Sequence, residues 1–578
     1  MSHELTQEEL DTTFPLVRAE RPGTFEIGFA LAGTVSAGAY TAGVLDYIME
    51  ALDAWEAAKL RGDPEAPTHR VTLSTLVGAS GGALNGAIFL RAAGSDFPRG
   101  AQEGNPFYDA WVGPNSVTID KLLSGASARS PGVTSLVDTA AIERAIQSLI
   151  GFEGKPLPSS PDGATPPQRG YLADPLRLVV TMSNLIGTPY RVGFTAGPNI
   201  GFDFWRHDDT ARFALHVDGG DAAPGEGPRI GEMALSSVSG TNWDRLKAAA
   251  LATCAFPLVF SSRDVLRSPP EIAARVALVS QPGGDPRLPM TPRWDLIDPW
   301  LTRNPSAPMV DGGLTNNEPI GLTHTELAGL AGVNDRESDK ATRALILVDP
   351  FVASNKMPDR PATLPGLAGL ILSIFLNQSR YRAEDILSAV NSKVFSRFLI
   401  APGPEGAGGE SSLASGGLHA FGGFLDTALL KHDFLLGRYN AFQFLTLNFR
   451  FDPANPLLSE EWTPSQIATH TSGIYVSKTA DPAEAGFVPM IPLMASLRDE
   501  NNQPKKPVQM APLRLSEARR KQLGVQIEAR LDYLYKTLKP SGGMMASAWS
   551  TGFGLLWPFA RRKLRKDILS FVRDKPGA

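Results

Sequence analysis

The stretch Val71–Leu90, VTLSTLVGASGGALNGAIFL, decides the fold of this chain. It opens with a β-branched, apolar run, passes through a glycine-flanked serine and continues as a small-residue segment of helical character. The same scheme stands upstream. FEIGFALAG (Phe25–Gly33) reads as a buried strand ending in a tight loop, and from Ala39 to Leu60 the residues Val44, Leu45, Ile48 and Leu52 recur at helical spacing. Asp46, Glu50 and Asp53 fall on the opposite side of that helix and are expected outside. Strand, glycine turn and helix, twice in succession, predict an α/β fold: a three-layer α/β/α core with a mainly parallel central sheet. LRLVVTMSNL (Leu176–Leu185) and ALILVDP (Ala344–Pro350) are expected to add core strands.

Around this core the sequence divides into an N-terminal arm (1–24), an α/β region (25–360) and a mostly helical C-terminal region (361–578). In the last, helices are expected over Leu367–Leu399, Phe421–Leu447 and Ser516–Leu538, with a flexible run at Ala401–Gly417. Leu523, Ile527, Leu531, Leu534 and Leu538 form one apolar stripe, and Ser516 is placed to cap that helix. Gly151–Gly170 and Gly219–Gly227 read as surface loops.

Composition narrows the function classes. With 55 Lys and Arg against 60 Asp and Glu, the formal net charge is −5, a poor basis for nucleic-acid binding, which draws on a basic field. The single cysteine, Cys254, cannot form an internal disulfide, which points to a reducing compartment and a cytoplasmic protein. No signal peptide is read in MSHELTQEEL, and the most apolar stretch, Gly366–Leu376, is shorter than the ~20 residues of a spanning helix. His207-Asp208-Asp209 has no His or Cys at ligand spacing to complete it, so neither a metal nor a cofactor is expected.

Three motifs carry chemistry. Gly78-Ala79-Ser80-Gly81-Gly82 is a G-x-S-x-G elbow between a strand and a helix, which holds a serine hydroxyl at the positive end of the helix. Gly33-Thr34-Val35-Ser36-Ala37-Gly38 follows the first strand and can present backbone N–H groups to an anion, from the other side of the serine. Asp311-Gly312-Gly313 stands 231 residues after the serine, in PMVDGGLTNNEPI.

Anion loop, G-x-S-x-G and late D-G-G, in that order on an α/β core, resemble the patatin-like phospholipase family. ALATCAFPLVF (Ala250–Phe260) looks like that family's small-residue helix end, and DGGLTNNEPI like its D-G-G segment with the following Asn and Pro. The resemblance covers about Phe25 to Phe351. It implies a serine lipid acyl hydrolase of phospholipase A, lysophospholipase or esterase type, with a Ser–Asp dyad and an acyl-enzyme. Carried over, Ser80 is the nucleophile and Asp311 the general base. Gly33, Thr34, Val35 and Gly38 with Gly81 form the oxyanion loop, and Gly78, Gly82, Gly312 and Gly313 support the motifs. A dyad of this kind works best where an apolar setting raises the aspartate pKa toward neutrality. The sequence departs from the family at the anion loop, usually Gly-Gly-Gly-x-Arg/Lys-Gly: Thr34 and Val35 replace glycines and Ala37 replaces the cation. Since Thr and Val resist positive φ, either the loop has another shape or its N–H groups point inward from ordinary extended geometry.

Other assignments remain open at this level. A Ser-His-Asp esterase would draw on His324 or His432. His432-Asp433 with Gly437, Arg438 and Asn440 reads as a buried polar network, or as a lipid-headgroup contact through Arg438. A non-catalytic lipid- or membrane-binding protein could keep the same fold. Cys254, in an apolar run, reads as packing. At the C-terminus, Trp549, Phe553, Leu555, Leu556, Trp557 and Phe559 precede a segment with seven basic and two acidic residues from Arg561 to Ala578. It suits either an element lying on anionic lipid at the inner membrane face or an ordinary terminal helix with a basic face.

Overall fold

The structure is a computed structural model. It describes residues 5–114, 116–123, 135–150, 168–193, 201–223, 227–236, 240–257, 259–278, 284–351, 391, 393–403, 413–416, 421–471, 484, 486–501, 503, 505–508, 516–537, 561–562 and 565.

Every residue of strands β1 (Phe25–Leu31) and β2 (Val71–Gly78) is buried, as their near-continuous apolar sequences require of parallel strands covered on both faces. The other strands of the central sheet are β3 (Leu172–Gly193), β4 (Gly201–Leu215), β5 (Glu232–Leu235), β6 (Arg263–Leu266), β7 (Ser306–Asp311), β8 (Arg343–Val348) and β9 (Arg397–Ile400), with the two-residue Thr291–Pro292 pairing on the end of β3. Their order is β9-β8-β1-β2-β3-β7-β6, with β4 on β3 and β5 on β4. From β9 to β3 all neighbours are parallel, while β7 and β4 run antiparallel to β3.

Alternate residues of the central strands enter two separate cores. Ile27, Phe29, Ala344 and Ile346 face the large core, into which helices α1 (Gly38–Leu60), α2 (Ser80–Ala93) and α3 (Thr241–Thr253) pack. Ala30, Leu345 and Leu347 face a smaller one with Ile320 and Leu327 of α4 (Ile320–Ala328). This is the expected three-layer α/β/α arrangement, and both predicted additional strands are present, as β3 and β8.

The N-terminal arm wraps the edge of this body. Arg18 N–H donates to the Ala328 carbonyl (2.8 Å), and the Pro15 and Leu16 carbonyls accept from Leu330 and Ala331.

Two expectations are corrected. Residues 397–399, read as the end of a helix, belong to β9 and pair in parallel with β8; the run is apolar enough for either element, and the open edge of β8 selects the strand. Of the rest of that expected helix, 391 and 393–396 are turn or irregular and not helical, while 367–390 and 392 lie outside the described residues, as does most of 401–417. The acidic side of α1 is only partly solvent-facing, with Glu50 and Asp53 partly exposed. Asp46 is fully buried, because α5 (Thr427–Gln443) covers it. The two helices cross where Gly43 meets the Phe434 carbonyl and Gly437 meets the Tyr40 carbonyl, approaches that leave no space for a Cβ. Beside this crossing Arg438 pairs with Asp46 and Glu50, Asn105 donates to Asp46 (2.9 Å), and Asp53 accepts from Arg169 (2.9 Å) and Tyr171 (2.6 Å). Arg438 is therefore a buried clamp and not a headgroup contact.

Helix α6 (Glu517–Thr537) matches the expected terminal helix. Ser516 Oγ accepts from Arg519 N–H (3.2 Å), and Leu523, Ile527 and Leu534 are buried. Of the segment 549–578 only Arg561, Arg562 and Arg565 are described; Arg561 pairs with Asp532 and Arg565 with Glu528 of this helix.

Removing the Arg438 guanidinium leaves the Asp46 carboxylate buried without its main counter-charge. Arg438→Ala is expected to destabilise the protein by about 3–5 kcal/mol, measured by urea unfolding, with Glu50→Gln costing much less because Glu50 is partly exposed.

Candidate active site

The sheet register brings the motif residues together. β2 ends with Gly78 opposite Val180 of β3, and β7 ends with Asp311 opposite Met182 of the same strand. Because β2 and β7 approach β3 from opposite directions, Ser80, two residues beyond β2, arrives level with Asp311. Ser80 Oγ donates to Asp311 Oδ2 at 2.6 Å, both residues being buried.

Each partner is fixed by its own backbone. Ser80 takes φ +49°, a left-handed conformation that costs a non-glycine residue about 1–3 kcal/mol and persists only when its surroundings impose it. The glycines of the elbow supply that constraint. Gly82 lies against the Leu31 and Ala32 carbonyls and Gly78 against the Ala83 backbone, so neither has room for a Cβ. Ser80 N–H is held by Thr253 Oγ1 (2.7 Å) at the end of α3. Asp311 N–H donates to the Ala255 carbonyl (3.0 Å), Ser183 Oγ donates to the Asp311 carbonyl (2.8 Å), and Gly313 N–H donates to Asp311 Oδ1 (2.8 Å). Gly312 is pressed on Thr181 of β3.

Burial pushes the Asp311 carboxyl up to about 6, while the hydrogen bonds from Ser80 and Gly313 pull it back. It is thus ionised at neutral pH, yet much more basic than an exposed aspartate. Cys254 lines the same cavity; burial, and then the Asp311 charge, push its thiol up, so it stays protonated and is a poor nucleophile.

In the turn of residues 33–38 the resistance of β-branched residues to positive φ holds at one position and is overcome at the other. Val35 adopts φ +43°, a rare conformation for a β-branched residue, while Thr34 stays at φ −135°. Gly33 and Gly38 do not offer their N–H groups to the cavity: Gly33 donates to the Asn317 carbonyl (3.1 Å) and Gly38 to that of Ser36. Both are glycines for lack of space, Gly33 against the Asn317 amide and Gly38 against the Trp111 ring. Trp111 is in turn held by Asn85, which bonds the Gly38 carbonyl (2.8 Å). The Thr34 hydroxyl fills the space left by Gly81. Val35 and Gly81 are the residues of the two loops that line the cavity beside Ser80.

That cavity is narrow, about 50 Å³, and walled by Leu84, Trp111, Ile146, Phe256, Phe260 and Phe424. The histidines considered for a triad lie elsewhere. His432 Nδ1 bonds Asp433 (2.9 Å), which also accepts from Ala414 and Ser415 N–H, and His324 Nε2 bonds the Gly332 carbonyl (3.0 Å). In the acidic cluster beside His207, Asp208 and Asp209 pair with Arg206, Arg267 and Arg275. Among the described residues no group of three or more His, Cys, Asp or Glu could hold a metal ion.

Thr253 and Asn317 were not singled out from the sequence as site residues. Both stand in segments that were: Thr253 in ATCAFP and Asn317 in DGGLTNNEPI.

With this geometry in place, the comparisons with known proteins decide the family. A family model described as patatin-like phospholipase matches residues 29–324. The chain belongs to the patatin-like phospholipase family. An uncharacterized protein of Sinorhizobium fredii (strain NBRC 101917 / NGR234), y4iI, is 31% identical over 531 residues, 83% of this chain and 72% of that protein. Membership makes the α/β body a patatin fold and, at the level of the family, a lipid acyl hydrolase.

The raised Asp311 pKa has a consequence for stability. A carboxyl that binds its proton more tightly when folded favours the folded state below its unfolded pKa, and that contribution is lost as pH rises through about 6. Asn lacks the charge. Asp311→Asn is therefore expected to gain on wild type by up to about 3 kcal/mol at pH 8 and by little at pH 4, read from urea unfolding at both pH values.

Proposed function

We propose that this patatin-like protein hydrolyses carboxylic esters of lipids, as a phospholipase A, lysophospholipase or esterase, through a Ser80–Asp311 dyad and an acyl-enzyme. The observation that carries the reading is the 2.6 Å hydrogen bond from a strained, helix-initiating serine to a buried aspartate of raised pKa. Asp311 takes the Ser80 proton as Oγ attacks the ester carbonyl, and returns it to the leaving alcohol. Charge developing on the carbonyl oxygen is met by the N–H groups of Gly81 and Val35, reinforced by the positive end of the helix that begins at Ser80. Water activated by the same carboxylate then releases the acid. The apolar walls favour an acyl chain over a polar group at this position.

Ser80→Ala and Asp311→Asn should each lower kcat/KM for a p-nitrophenyl ester and a phospholipid by a factor of about 10³ or more. In the wild type, kcat/KM should fall about tenfold per pH unit below about 6, as Asp311 becomes protonated. A fluorophosphonate should label Ser80. Full activity in either variant would refute the dyad.

Among the described residues no helix is long and apolar enough to cross a membrane. We propose that the protein reaches lipid as a peripheral cytoplasmic enzyme on the inner membrane face, with 549–578 laid on anionic headgroups. Deleting 549–578 is then expected to abolish sedimentation with anionic vesicles while leaving hydrolysis of a short soluble ester intact. Unchanged sedimentation excludes the tail as the contact.

A further inference from the structure

The match to the family ends at residue 324, yet one wall of the cavity comes from about a hundred residues further on. The short segment Gly422–Leu425 sits directly on the turn that carries Val35. Gly423 N–H donates to Ser36 Oγ at 3.0 Å, and the pair is buried. The seat is tight: a Cβ at Gly423 would fall 2.5 Å from the Leu430 side chain, 2.6 Å from Ser36 Oγ and 2.9 Å from Ser415. A glycine is needed there for lack of room, and the segment cannot slide without breaking its bond to Ser36.

Aromatic contacts on either side fix it further. Phe421 packs edge-on against Phe256, with ring centroids 5.8 Å apart, and lies 6.1 Å from both Phe260 and Phe424. Phe256 and Phe260 line the cavity themselves, and Phe424 shares an apolar cluster with Phe260, Leu122 and Val35. Phe424 is 6% exposed and faces the same cavity as Ser80 and Asp311.

We propose that Phe424, held in place by the Gly423–Ser36 bond, is a specificity residue that limits the length of the acyl chain accepted beside Ser80. This rests on the acyl-hydrolase reading for the identity of the ligand, and on the packing alone for the position of the wall. A ring contributed by a separate part of the chain closes a cavity of only about 50 Å³, so its removal opens space next to the dyad without altering the dyad. Each further methylene buried there is worth roughly fourfold in kcat/KM or in affinity.

The test compares wild type, Phe424→Ala and Phe424→Trp on p-nitrophenyl esters from butanoate to dodecanoate. A second arm measures octanoate and dodecanoate binding by calorimetry to Ser80→Ala protein with and without Phe424→Ala. Phe424→Ala should raise the dodecanoate-to-butanoate ratio of kcat/KM about tenfold or more and shift binding toward dodecanoate. Phe424→Trp should move the ester ratio the other way. If Phe424→Ala fails to fold, Phe424→Leu carries the same comparison with a smaller shift. Ester ratios within twofold of wild type in the folded variants would overturn the wall, with the dyad untouched. Absence of ester hydrolysis by wild type, together with a shifted fatty-acid preference in the binding arm, would remove the hydrolase reading and keep the wall.

Discussion

The 2.6 Å hydrogen bond between Ser80 and Asp311 spans 231 residues of sequence, and most of the central sheet is arranged so that it can form. A bond of that length tolerates little error in either backbone. β3 acts as the common ruler: β2 ends against it at Val180 and β7 ends against it at Met182, one parallel and one antiparallel. A slip of one residue would turn the whole strand over, displacing Ser80 if it fell in the β2 pairing and Asp311 if it fell in the β7 pairing. Register in these strands therefore sets the Ser80–Asp311 contact as well as the packing.

The same bond depends on strain held elsewhere. Ser80 and Val35 both take positive φ, at a cost of about 1–3 kcal/mol each, and neither conformation would persist in a flexible loop. At Ser80 the constraint is backbone against backbone, through Gly78 and Gly82. At Val35 it is a pair of ties, Ala37 N–H to the Thr34 carbonyl (2.9 Å) and Ser36 Oγ to Gly423 N–H. Asp311 is raised toward neutrality by burial but kept ionisable by two hydrogen bonds, a balance that a drier or a wetter site would lose. Val35 thus stands in a loop usually made of glycine because the surrounding structure imposes a positive φ that glycine would adopt freely, while Thr34 keeps an ordinary φ of −135°.

What could be read from the sequence follows the range of the interactions involved. β1, β2, β3 and β8 were legible because a strand buried on both faces must be apolar throughout, a property contained in a few consecutive residues. The G-x-S-x-G turn is legible for the same reason, its glycines and serine being neighbours in the chain. Asp46 reads as solvated in the sequence because the helix that covers it begins only at Thr427, and nothing near it announces that helix; Glu50 and Asp53, on the same side, are only partly exposed and carry ion pairs. Arg438 was misread as a possible headgroup contact from the other end of the same long-range pair. Residues 397–399 read as the end of a helix because so short an apolar run has no period of its own, and only the free edge of β8 selects the strand. The role of Gly33 and Gly38 is the subtler case: the residues were found, but what they provide is clearance for Asn317 and Trp111 rather than donors to the cavity.

These long-range pairs neutralise one row of carboxylates on a single helix. Carboxylates at Asp46, Glu50 and Asp53 on one helix are matched by Arg438, Arg99 and Arg169 from three distant parts of the chain. Arg438 reaches them only because the Gly43–Gly437 crossing lets α5 lie close upon α1. The helix so positioned begins two residues after the Gly422–Leu425 segment that seats on Ser36. A buried ion cluster on one side of α5 and an aromatic seat at its N-terminal end therefore fix the same element. The Val35 turn is held through that element, so the shape of the cavity on the Val35 side depends on contacts packed well away from Ser80 and Asp311.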